Sequence, residues 1–193
     1  MRIIGILAAA LVLLAGEAGS AVIVNFDGLL ENGPGARQVS SPYPELGFTF
    51  TALGAGFESW RTGAPGYAGS PALQNRVPDD TTVLTADSGA VFSLLSIDLS
   101  EVFAGSGQSV SVTFTGTKFD TSSVVDTFVL DGTHGFENFS FTGFTDLVSV
   151  SWVQTVDYHQ FDNVVLIPEP ASAALLVLGL VGLAAGRRRG GLK

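Results

Sequence analysis

Short stretches in which apolar and small polar residues alternate recur along most of the chain. In Val110–Thr115 every second residue is valine or phenylalanine, with serine or threonine between, and Val148–Trp152 repeats the pattern. A period of two is typical of a β-strand with one buried face. Further predicted strands are Val22–Phe26, Phe48–Thr51, Val91–Leu99, Val124–Leu130, Phe136–Phe141 and Phe161–Ile167.

These segments predict an all-β domain over residues 22–167, an antiparallel β-sandwich that is most simply a jelly roll. No stretch of that region shows a convincing helical period, and no internal repeat indicates a solenoid or a propeller. Asp131-Gly132 predicts a turn that closes a hairpin from Val124 to Phe141. The segment Gly54–Pro78 is rich in glycine, alanine and proline, and it predicts long loops around a short strand.

The N-terminal segment has the order of a secretory signal peptide. Arg2 precedes the apolar run Ile3–Ala15, and small and polar residues follow in Glu17–Ala21. Small residues near Ser20 and Ala21 suit a signal peptidase, so residues 1–21 are predicted to be removed on export. An uncleaved anchor is the alternative, although thirteen apolar residues are few for a membrane span.

The C-terminal segment predicts a transmembrane helix over residues 171–186. Ala171–Gly186 carries no charge and would form a helix of about 24 Å. That length is slightly short for a hydrocarbon core of about 30 Å. Arg187, Arg188 and Arg189 follow at once and are expected to stay in the cytoplasm, which places residues before Pro168 outside.

The order of Pro168-Glu169-Pro170, apolar span and arginine cluster resembles the PEP-CTERM sorting signal of Gram-negative bacteria, here residues 168–193. The resemblance implies export across the inner membrane and transient anchoring with the N-terminal domain outside. It also implies recognition by an exosortase-type membrane transpeptidase and a final place at the cell surface or in the extracellular matrix. An ordinary tail anchor with an incidental Pro-Glu-Pro is the alternative.

Composition narrows the possible partners. Residues 22–167 hold sixteen acidic and four basic side chains, a net charge of −12. Such a field opposes nucleic acid and favours cations, Ca²⁺ among them. The chain has no cysteine, so it is neither a lipoprotein nor a disulfide scaffold, and its stability must come from a packed core.

Two motifs near the domain ends resemble jelly-roll domains of the carbohydrate-binding-module and galactose-binding-like type. Phe26-Asp27-Gly28 lies in the first strand region, and Phe161-Asp162-Asn163-Val164 opens the last strand. The resemblance implies that these strands are neighbours and that a structural calcium ion lies between them. Asp27 and Asp162 would supply carboxylates and Asn163 a side-chain carbonyl. Alternatively, Asp27-Gly28 forms a turn and Asn163 caps backbone groups.

Two aromatic residues are candidates for glycan contacts, and one row of threonines is typical either of an ice-binding surface or of an ordinary outer sheet face. Trp60 and Tyr67 lie in the glycine-rich region, where an exposed aromatic ring could stack on a sugar; core packing of Trp60 is the alternative. Thr113, Thr115 and Thr117 lie on one face of a predicted strand. Threonine suits the outer face of a sandwich.

The sequence predicts no enzyme. His134 and His159 are expected at the surface, and no third zinc ligand, nucleophile elbow or phosphate loop accompanies them. The leading prediction is an exported, non-enzymatic surface or matrix protein associated with exopolysaccharide and biofilm. The alternatives are a calcium-stabilised carbohydrate-binding module and an extracellular hydrolase.

Overall fold

The computed structural model describes residues 19–103 and 110–169, which form an all-β domain of antiparallel strands. A short 3-10 turn at Asp27–Leu29 follows the first strand. The strands are β1 (Val22–Val24), β2 (Ala36–Val39), β3 (Tyr43–Glu45), β4 (Phe48–Ala52), β5 (Phe57–Trp60), β6 (Gln74–Asn75), β7 (Thr81–Ala86), β8 (Phe92–Glu101), β9 (Ser111–Lys118), β10 (Ser123–Val129), β11 (Glu137–Ser140), β12 (Leu147–Val153) and β13 (His159–Pro168). The predicted fold class is confirmed.

Most of the predicted signal peptide and the whole predicted helix over 171–186 lie outside the described residues. Within residues 19–103 and 110–169, no helix has the length and apolar character needed to cross a bilayer. Both terminal segments therefore stay predictions from the sequence.

The main sheet folds into two layers. The four-stranded layer has the order β1-β13-β8-β11, and the six-stranded layer has the order β3-β4-β7-β12-β9-β10. One pair of residues, Leu147 and Phe92, joins β12 to β8 and so connects the layers. Strands β2, β5 and β6 form a separate small sheet. The first and last strands are neighbours, with Val22 opposite Leu166, as the resemblance implied.

The core between the layers is built largely from aromatic rings. Phe161 on β13 is fully buried, and its ring lies 5.7 Å from Phe26, 5.8 Å from Phe50 and 4.9 Å from Trp152. Most of these contacts are edge-to-face or offset, the arrangements that the ring quadrupoles favour. Because Phe161 belongs to the four-stranded layer and its partners Phe50 and Trp152 belong to the six-stranded layer, this ring packs the two layers against each other.

The predicted hairpin from Val124 to Phe141 is wrong. Strand β10 pairs with β9, whereas β11 crosses to the other layer and pairs with β8. The crossing lets Phe128 and Phe139 stack against each other at 4.9 Å from opposite layers. A hairpin would have placed both rings in one layer and left half of this part of the core unfilled.

Candidate functional site

The outer side of the six-stranded layer has an unusually uniform composition. Less exposed and more exposed residues alternate along most of β4, β7, β12, β9 and β10, which identifies the outward positions. We call these positions the hydroxyl face. They are Thr49, Thr51, Thr81, Val83, Thr85, Ser149, Ser151, Val153, Ser111, Thr113, Thr115, Thr117, Ser123, Val125, Thr127 and Val129.

Register arranges these side chains in rows across the layer. Ser151 on β12 lies opposite both Val83 on β7 and Thr115 on β9, and Thr115 lies opposite Val125 on β10. Neighbouring strands are about 4.8 Å apart, so a row across these five strands spans roughly 19 Å. The face is therefore broad enough for an extended polymer rather than a single small molecule.

The hydroxyl face carries no charged side chain, although the domain is strongly acidic. Asp87 lies at its rim, where its carboxylate accepts a hydrogen bond from the Thr49 hydroxyl. Inside the face, the hydroxyl oxygens of Thr113 and Thr127 lie 2.9 Å apart, and Val125 and Val129 are more than half exposed. The face thus offers hydroxyl groups and aliphatic carbon together, without charge.

On the four-stranded layer, the structure brings Asp27, Asp162 and Asn163 to one region. Asp162 is almost fully buried, its Oδ1 accepts a hydrogen bond from the Asn163 backbone N–H at 2.7 Å, and its Oδ2 accepts one from the Ser70 hydroxyl. Burial raises the pKa of Asp162 to about 6. The hydrogen bonds oppose that shift, and the charges of Asp98 and Asp27 add to it.

Asp98 is a member of this group that the sequence did not single out. It lies opposite Asp162 in the pairing of β8 and β13. Its Oδ1 accepts a hydrogen bond from Asn138 Nδ2 at 2.6 Å and its Oδ2 one from Asn163 Nδ2 at 2.8 Å. The exposed Asp27 accepts one from Asn25 Nδ2 at 2.8 Å. Since the oxygens of Asp98 and Asp162 already have donors, a calcium ion would compete for them, and the predicted site stays a prediction.

The two aromatic candidates lie at the end of β5 and in the loop that follows it, and their surroundings differ. Trp60 Nε1 donates to Gln74 Oε1 at 3.0 Å, and Gly66 lies so close that a Cβ there would be 2.5 Å from the indole ring. The Tyr67 hydroxyl donates to the Gly69 carbonyl at 3.1 Å. Trp60 therefore packs against the loop that follows β5, whereas Tyr67 is only partly buried. Glycan binding by either residue stays a prediction.

The histidines have different environments. His159 is fully buried at the start of β13, so its expected place at the surface is wrong. Burial lowers the pKa of His159 to about 3, so the ring is neutral. The ring of His134 connects two backbone carbonyls, with Nδ1 2.8 Å from the Glu101 oxygen and Nε2 3.2 Å from the Tyr67 oxygen. Neither arrangement indicates a catalytic base.

The first two residues of the predicted sorting motif contact the domain. Pro168 ends β13, and the Glu169 N–H donates to the Val91 carbonyl at 3.0 Å. Glu169 Oε1 accepts hydrogen bonds from the Ser93 hydroxyl at 3.1 Å and the Asp146 N–H at 3.2 Å. The other predicted tail residues lie outside the described part of the chain: Pro170, Arg187, Arg188 and Arg189.

Comparisons with known proteins return carbohydrate-binding modules. No family model matches the chain, and no curated protein matches it significantly. A variant of the family 29 module CBM29-2 in complex with cellulohexaose is 10% identical, with 81% of this chain and 96% of that chain covered and a TM-score of 0.44. The CBM22-1–GH10 modules of Clostridium thermocellum xylanase 10B with xylohexaose are 14% identical, with 77% and 28% covered and a TM-score of 0.35. Similarity at this level carries no argument about ligands.

Proposed function

We propose that this chain is an exported, non-enzymatic binding protein whose hydroxyl face adheres to neutral polysaccharide outside the cell. One observation carries the proposal. The hydroxyl face is five strands wide, and none of the described residues that form it is charged, although the domain has a net charge of −12. The sixteen acidic residues of 22–167 all lie outside this face. A surface kept neutral under those conditions suits a neutral partner.

The chemistry of the face matches that of a sugar chain. Pyranose rings present hydroxyl groups at their edges and C–H groups on their faces, and the rows of threonine, serine and valine present the same two kinds of group. Each contact is weak, but a repeating polymer engages several rows together, so the contacts add through effective concentration. Polymers rich in uronic acids would be repelled by the acidic domain.

The predicted sorting signal would determine where the domain meets its polysaccharide. Export by the predicted signal peptide and processing by an exosortase-type enzyme at Pro168-Glu169-Pro170 would place the domain in the exopolysaccharide matrix. Processing would require Glu169 to leave Ser93 and Asp146, because both hold its carboxylate. The finer form of the proposal is a calcium-stabilised carbohydrate-binding module, with Tyr67 as a second contact.

Selectivity between polymers tests the proposal. The purified full chain in detergent is run through native gels that each contain one polymer. Two gels contain a neutral polymer, a β-glucan or a galactomannan, and two contain an anionic polymer, an alginate or a pectate. Retardation is expected in the neutral gels and should persist at about 0.5 M salt, where charge interactions are screened to about 4 Å. Retardation only by the anionic polymers, or by none of the four, would contradict the proposal.

A further inference from the structure

Three carboxylates converge where β8 ends beside the loop between β10 and β11. One carboxylate oxygen from each of Glu101, Asp131 and Glu137 lies within 4.8 Å of those from the other two. Glu101 closes β8, Asp131 opens the loop, and Glu137 begins β11. These residues are distinct from Asp27, Asp162 and Asn163, for which the sequence predicts calcium.

Each of the three side chains uses one oxygen to hold the loop. Glu101 Oε1 accepts a hydrogen bond from the Gly132 N–H at 2.8 Å, and Asp131 Oδ1 accepts one from the Thr133 N–H at 2.7 Å. Glu137 Oε1 accepts one from the Asp131 N–H at 3.0 Å. The loop backbone thus fixes all three carboxylates in place, and within residues 19–103 and 110–169 the second oxygen of each accepts no hydrogen bond.

Glu101 provides a second, independent indication of a ligand. The residue is 2% exposed, and its Oε2 is buried without a hydrogen-bond partner in the part of the chain that the structure describes. A buried carboxylate oxygen without a partner costs free energy that a cation would remove.

The surrounding charge adds to this indication. The ion pairs found among residues 19–103 and 110–169 join Arg37 and Arg61 to Glu31, so none of them neutralises the cluster. The pKa of Glu137 is raised, first by burial and also by the charges of Asp131 and Glu101, while the hydrogen bond from Asp131 opposes the shift. The three carboxylates therefore lie close together, and no ion pair within the described part of the chain compensates their charge.

We propose that Glu101, Asp131 and Glu137 bind one calcium ion through their second carboxylate oxygens. Three carboxylates from a strand end and a loop give an all-oxygen set that water can complete to the six to eight ligands of Ca²⁺. Mg²⁺ requires near-ideal octahedral geometry and gives up water reluctantly, so this irregular set favours the larger ion. Transition metals prefer nitrogen or sulfur ligands, which the cluster lacks.

The ion would link parts of the domain that are distant in sequence. It ties the end of β8 to the loop that begins at Asp131. The same loop carries His134, whose ring contacts the backbone of Glu101 and of Tyr67. Calcium would therefore order residues 131–135 and, through His134, steady the loop that holds Tyr67.

Calorimetric titration of the full chain in detergent, stripped with EDTA, tests the site with Ca²⁺ as the probe. Glu101→Gln and Glu137→Gln keep the shape of each side chain but remove its charge, and each should weaken calcium binding by at least about tenfold. Asp157→Asn, an exposed change elsewhere, and Asp162→Asn, a change in the other predicted site, should leave this binding event in place. Hydrogen exchange should show the Gly132 and Thr133 amides protected by Ca²⁺ in the wild type but not in Glu137→Gln.

Two results would overturn the proposal. One is a wild-type chain that binds no calcium at about 1 mM, the weak end of extracellular sites. The other is unchanged binding in Glu137→Gln, whose more exposed position makes it the decisive variant if Glu101→Gln does not fold. In that second case, loss of binding in Asp162→Asn would assign the ion to the four-stranded layer.

Discussion

Replacing Phe161 by alanine is expected to destabilise the domain by about 3–5 kcal/mol, the range for a large aromatic residue removed from a packed core. The ring contacts Phe26, Phe50 and Trp152, so its loss leaves a cavity bordered by both layers. No disulfide supports the fold, and the total stability of a domain is typically about 5–15 kcal/mol. The variant should therefore lose a large fraction of its stability and unfold at a much lower urea concentration than the wild type.

Urea unfolding followed by circular dichroism measures this effect without depending on the fluorescence of Trp152. Phe119→Ala is the matched control, because that ring is 76% exposed and its loss should change the free energy of unfolding by less than about 0.5 kcal/mol. Equal unfolding midpoints for Phe161→Ala and Phe119→Ala would contradict the assignment of Phe161 to the centre of the core.

Acidification should change the stability of the cation-free domain through two residues that act in opposite directions. The pKa of His159 is lowered to about 3 by burial, so the stability that its neutral form supports is lost as pH falls from about 6.5 toward 3. The pKa of Asp162 is raised to about 6 by burial, so its contribution is largest below about 3.8 and is lost as pH rises through 6. Between pH 4 and 6 the two effects change the free energy of unfolding in opposite directions. For the wild type, this free energy should therefore depend only weakly on pH.

Asp162→Asn should separate the two effects. In EDTA at pH 7 the variant should be more stable than the wild type by on the order of 2 kcal/mol, because a buried charge has been removed. On acidification it should lose stability steeply, since only the His159 effect remains. Urea midpoints at four pH values between 4 and 7 provide the test, and parallel profiles for the two proteins would contradict the assigned pKa shifts.

The strands with clear alternation were predictable because their burial pattern is local. Ser111–Thr115 and Val148–Trp152 lie in β9 and β12. The pairing of β1 with β13 was implied by the resemblance of the two end motifs to jelly-roll domains. Strand β7, Thr81–Ala86, was missed because it is rich in threonine and its buried positions include Thr82, so apolar alternation is weak. The partners of β10 and β11 depend on long-range packing of Phe128 and Phe139, which no local pattern specifies.

Only part of the candidate site could be predicted from the sequence. The sequence showed one row of threonines, Thr113, Thr115 and Thr117, but the other rows of the hydroxyl face exist only once strand register is known. In the same way, sixteen acidic residues gave no reason to choose Glu101. Its significance comes from burial and from its neighbours Asp131 and Glu137, which are distant in sequence.

A charge placed at the centre of the hydroxyl face tests the proposed function most directly. Thr115→Glu inserts a carboxylate between Ser151 and Val125, and Ser140→Glu adds the same charge at an exposed position on β11 in the other layer. Affinity for the best-bound neutral polysaccharide should fall by about tenfold or more in Thr115→Glu, because an unpaired charge must lose water at the contact. It should not change in Ser140→Glu. Equal affinities for the two variants would contradict binding through the hydroxyl face.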